Sequence, residues 1–189
     1  MNVKKFLCLM LAGALSLSLA ACGAGTPKVD YDTEFDALME RVEELGEKAD
    51  YVATVNSVVW QEAGPEKVAS VLLELLTASD ANDLSFTAKN ALTDYSTTER
   101  TQIIKKYKEY YTALSSELEM LKTDIKALKD ACGDDHDDGI DALQKYFTKL
   151  QAYAEFATNP SGNLMNYRSN HEDFENDMAE LKSAAEFDK

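Results

Sequence analysis

His171 and Glu175 stand one helical turn apart, the spacing at which an imidazole and a carboxylate share a face and could hold one metal ion. The chain has only two histidines, and no Glu-x-x-His pair of the kind that builds di-iron bundles. The other histidine, His136, lies in the acidic run Gly133-Asp-Asp-His-Asp-Asp-Gly139. Asp134, His136 and Asp138 copy the start of a calcium loop, but imidazole is a poor calcium ligand, and Lys145 stands where the closing glutamate belongs. A solvated turn that ends one helix and starts the next accounts for the run. His171 is expected to be hydrogen-bonded inside a bundle, with Asn56, a second polar residue on an apolar stripe, as its partner. No metal and no cofactor are therefore expected.

Cys132 closes a helical stripe beside acidic residues, where a thiolate is disfavoured, and reads as a small apolar side chain. Of nine tyrosines, Tyr107, Tyr111 and Tyr167 fall on apolar stripes and are expected in the core. Tyr110, Tyr146 and Tyr153 fall beside theirs and are the candidates for an exposed patch of the kind that binds sugars or peptides. There is no phosphate-binding glycine loop, no nucleophile elbow and no His-Glu-x-x-His, so no enzyme is expected.

The elements that must carry these residues follow from one rhythm. Apolar residues recur at alternating steps of three and four along residues 31–62 (Phe35, Leu38, Val42, Leu45, Ala49, Val52, Val59), with Asn56 the polar exception. Glu44 and Lys48 are spaced to pair within that helix. Gly64-Pro65 ends it and opens a second helix over residues 65–78. Residues 79–96 read as a connector with about two helical turns. Ser96 and Glu99 form a capping box that opens the longest helix, which runs to Ala131. Its stripe (Ile104, Tyr107, Tyr111, Leu114, Leu118, Leu121, Ile125, Leu128, Cys132) keeps the rhythm without a break. Further helices are predicted over residues 139–158 and 163–187, separated by Asn159-Pro-Ser-Gly162. No segment alternates with the period of a strand. The expected fold is all-α, an elongated antiparallel bundle of four long helices plus one or two short ones.

The first residues read differently. Met1-Asn-Val-Lys-Lys5 is a basic start, Phe6 to Ala21 carries no charge, and Leu19-Ala20-Ala21 precedes Cys22. The apolar run is short for a membrane span and suits an export signal. This segment resembles the signal and lipobox of bacterial prolipoproteins. The resemblance implies cleavage after Ala21 and a diacylglycerol on the Cys22 sulfur, and hence an anchor on the extracytoplasmic face of the cell membrane. Residues 1–21 are then the signal peptide, 22–30 a flexible tether and 31–189 the bundle domain. From Cys22 to Val29 the tether spans at most about 28 Å, which holds the body close to the membrane.

The chain carries 19 basic and 34 acidic residues, a net charge of −15. Nucleic acid and anionic lipid headgroups are excluded as partners on that account. Cys8 falls in the signal and Cys22 is modified, so Cys132 is left without a disulfide partner. The body is also similar to uncharacterised small helical lipoproteins of low-GC Gram-positive bacteria, through Trp60 and Pro160-Ser161-Gly162. That resemblance supplies no functional residue. The expected function is a non-enzymatic lipoprotein that binds an envelope partner or organises the envelope. The alternative is a ligand- or metal-binding bundle serving a transporter, with His171 and Asn56 lining a cavity.

Overall fold

The computed structural model describes residues 29–189. The expected signal peptide, the lipobox and Cys22, and all but the end of the tether, lie outside them. The described chain is an all-α bundle: α1 (Tyr31–Ala63), α2 (Val68–Thr77), α3 (Phe86–Ala91), α4 (Thr97–Cys132), α5 (Asp137–Thr158) and α6 (Leu164–Asp188). Four helices are long and two are short. The capping box forms as the sequence requires: the Ser96 hydroxyl accepts from the Glu99 amide, and the Glu99 carboxylate accepts from the Ser96 amide at 2.8 Å. Ser85 caps α3, the helical turns expected in the connector. Two boundaries shift. Residues 65–67 form a turn before α2, because Gly64 at φ 78° redirects the chain. The acidic run is a 3-10 turn over Gly133–His136 that passes directly into α5 at Asp137.

Contacts between side chains fix the topology. Arg41 and Lys48 of α1 pair with Asp124 and Glu117 of α4, so those helices run antiparallel. Lys48 thus reaches across to Glu117 (3.1 Å) rather than forming the expected ion pair with Glu44 on its own helix. Lys129 of α4 meets Asp141 of α5, and Lys149 of α5 meets Asp177 of α6. Asp36 and Glu43 of α1 meet Lys189 and Lys182 at the end of α6. The four long helices therefore alternate up, down, up, down. α1 and α5 run parallel and pack on each other, and α4 and α6 flank them with no close approach of their backbones among the described residues. α2 and α3 cover the upper part of the α1–α4 pair. α1 begins and α6 ends at the lower pole.

Position in this bundle decides how much of each helix is buried. α5 contacts three long helices and buries a wide arc that includes Gly139, Ala142, Tyr146, Leu150 and Tyr153. α6 contacts two and fully buries only Tyr167, Met178 and Ala185. Gly139 marks the tightest approach. A Cβ at that position would lie 2.4 Å from the Tyr31 hydroxyl and 3.0 Å from the Asp188 carbonyl oxygen. The Tyr31 ring is held in place by stacking on His136 at 3.7 Å, and its buried hydroxyl has no hydrogen-bond partner. Gly139→Ala gains at most about 1 kcal/mol of helix propensity and meets an overpacking cost of about 1–3 kcal/mol. We expect a lower melting temperature for that variant, and recovery when Tyr31→Phe is added. Thermal unfolding of the single and double variants checks this.

Candidate functional site

Asn56 and His171, the polar residues on the apolar stripes, are not partners: the first is buried and the second half-buried. Asn56 is completely buried on α1. Its amide nitrogen donates to the Ala157 carbonyl of α5 at 2.7 Å and to the Tyr167 hydroxyl of α6 at 3.1 Å. Its carbonyl oxygen accepts from the Tyr107 hydroxyl of α4 at 2.8 Å. One side chain thus ties together all four long helices. Ala157 lies in the last turn of α5, where carbonyls lack helical partners, so Asn56 also satisfies that helix end. Burial raises Tyr107 and Tyr167 far above the ordinary tyrosine range, although the Asn56 bond partly opposes this for Tyr167. The node is built for structure, and no free donor remains on Asn56 to meet His171.

His171 instead bonds Asp50 of α1, Nε2 to Oδ1 at 2.9 Å. This corrects the expected pairing with Asn56, and with it the expected cavity lined by both residues. Asp50 comes to this place because the antiparallel register of α1 and α6 sets it opposite His171. Glu175, one turn along α6, completes the group: one ligand atom from each of Asp50, His171 and Glu175 lies within 4.8 Å of the other two. The hydrogen bond from His171 holds the Asp50 carboxyl below the usual carboxylate range, against the opposing effect of burial. Tyr153 of α5 lies under the group, its ring 5.9 Å from that of His171 and stacked on Phe174 at 5.1 Å. Its hydroxyl is buried and faces the Asp50 carboxylate, short of full hydrogen-bond geometry. Burial first, then the charges of Asp50 and Glu175, push its pKa up. Among the described residues this is the one gathering of three such side chains able to share an ion.

The candidate tyrosine patch does not form. Tyr146 is 3% exposed and Tyr153 2% exposed, because α5 is covered on three sides. Burial, with Glu43 and Glu186 nearby, pushes Tyr146 up to about 12. Tyr110 is half-buried and packs its edge on Tyr51, with the Lys106 ammonium 4.2 Å from the Tyr51 ring centre and 5.0 Å from that of Tyr110. Cys132 is half-buried against the core, and burial with Asp135 nearby raises its thiol pKa. The acidic turn gathers no set of ion ligands among the described residues. A shallow groove of about 470 Å³, lined by Asp141, Gln144, Lys145, Thr148, Lys149, Ala152 and Leu181, includes neither His171 nor Asn56.

Sequence reasoning missed Asp50 and the role of Tyr153. Asp50 follows the seam residue Ala49 and resembles any solvent-facing acid until the register of α1 against α6 is known. The only signal was on α6, where a histidine on an apolar stripe requires a partner. Comparison with protein-family models, with curated proteins and with solved structures finds no match to this chain.

Proposed function

We propose that this protein is a lipid-anchored module on the extracytoplasmic face of the cell membrane, which binds an envelope partner without catalysing a reaction. The observation that carries the proposal is Leu19-Ala20-Ala21-Cys22 after a charge-free run, with Cys22 nine residues before α1 begins at Tyr31. Two acyl chains on Cys22 are enough for stable attachment. The arrangement of the bundle is compatible with that attachment. α1 starts at the lower pole, so an anchor there leaves the upper part of the rod directed away from the lipid. α4 alone, with 36 residues, is about 54 Å long. Phe86 and Met165, 80% and 83% exposed, belong to the upper part and are apolar side chains a partner could cover.

Cys22→Ser tests the anchor. The variant is expected to take up no labelled palmitate and to accumulate as the uncleaved precursor, whereas the natural chain is labelled and partitions into detergent. A Cys22→Ser protein that matures normally and stays in the membrane fraction would overturn the proposal. The alternative, a ligand- or metal-binding bundle serving a transporter, draws support from the Asp50–His171–Glu175 group.

A further inference from the structure

We propose that Asp50, His171 and Glu175 form a binding site for one divalent transition-metal ion of the zinc type, with Tyr153 as the outer partner. This goes beyond membrane attachment and does not depend on it. The donor set is one imidazole and two carboxylates, three protein ligands that leave a position open for water. An imidazole in the set favours zinc, iron or nickel over calcium and magnesium, which take oxygen donors.

Four observations meet at this place. The ligand atoms are already gathered within 4.8 Å across two helices, without any loop that must close. Two ligands at about 2.1 Å from a shared tetrahedral ion stand about 3.4 Å apart. The 2.9 Å contact between His171 and Asp50 therefore has to open by only about half an ångström. Next, no lysine or arginine pairs with Asp50 or Glu175 among the described residues, so no side-chain cation occupies the place of an ion. Both carboxylates lie beside the His171 imidazole. The Tyr153 hydroxyl is the third observation. It is buried, forms no hydrogen bond of full geometry, and lies close enough to interact with the Asp50 carboxylate and to feel Glu175. A hydroxyl placed beside a ligating carboxylate is the kind of outer partner that orients a metal ligand. Finally, the Tyr153 ring, itself stacked on Phe174, lies 5.9 Å from that of His171 and gives the group one apolar wall. Apolar walls of this kind strengthen an ion's attraction to its ligands.

The test uses the full-length protein in detergent, stripped with chelator and titrated with Zn²⁺ against a competing chelator. One equivalent is expected to bind with a rise in melting temperature. Removing an outer partner of a metal site costs roughly 10- to 100-fold in affinity, so losing a ligand costs at least that much. His171→Gln and Glu175→Gln are each expected to weaken binding by about a hundredfold. Glu175 is exposed, so its variant keeps the fold even if a change at His171 does not. Tyr153→Phe is expected to weaken binding by about tenfold, while His136→Gln and Asp134→Asn leave it unchanged. Bound Co²⁺ should show the visible spectrum of a four-coordinate ion with nitrogen and oxygen ligands, lost in Glu175→Gln. The proposal is overturned if the natural protein retains no Zn²⁺, or if Glu175→Gln binds as tightly as the natural chain.

Discussion

Asn56→Ala is expected to be the most damaging single substitution in the bundle, lowering stability by about 3–5 kcal/mol. The change removes one side chain but strands three groups: the hydroxyls of Tyr107 and Tyr167 and the carbonyl of Ala157. Each buried group left without a partner costs about 1–3 kcal/mol. Asn56→Leu fills the space and still strands all three, so it should recover little. Tyr107→Phe removes one bond and leaves only the Asn56 oxygen unpaired, for a loss of about 1–2 kcal/mol. Urea unfolding followed by circular dichroism measures each value. A loss under about 1 kcal/mol for Asn56→Ala would mean that water replaces the amide and that the node does not hold the helices in register.

The second large effect is alkaline unfolding. Tyr107, Tyr146 and Tyr167 all have pKa values raised above the ordinary 10.0, chiefly by burial. In the folded protein these phenols keep protons that the unfolded chain releases. The folded state therefore binds more protons above pH 10, and stability falls as pH rises. The contribution is complete below pH 10. For Tyr146 it is exhausted near 12, and for the other two the decline continues beyond. We expect cooperative loss of helix between pH 10 and 12, coincident with the ultraviolet absorbance change of tyrosine ionisation. Tyr146→Phe should move the transition to higher pH. Phenol ionisation completed at pH 10 with the helices intact would contradict this account of the core.

The rods were legible in the sequence because each long helix has an apolar stripe that only a neighbour can cover. Ser96, Glu99 and Gly133 mark their ends as their chemistry requires. What could not be read was which helix lies against which. A stripe shows where a helix faces a neighbour, but not how many neighbours it has. For that reason Tyr146 and Tyr153, one position off the stripe of α5, were expected outside and are inside. The same gap hid Asp50, whose importance depends on lying across from His171. It also hid the partners of Asn56: the need for hydrogen bonds was evident, but three other helices supply them.

The placement of the start of α1 and the end of α6 at one pole governs how the bundle bears load. Force applied between Tyr31 and Lys189 peels α6 from α1 one turn at a time, breaking the Lys189–Asp36 and Lys182–Glu43 contacts in succession. Tension between the lower pole and a partner gripping the upper one pulls along the helix axes instead. Every seam is then sheared at once, and Asn56 resists on four helices together. A tug from a distant partner would leave the rod whole at forces that unzip it when applied end to end.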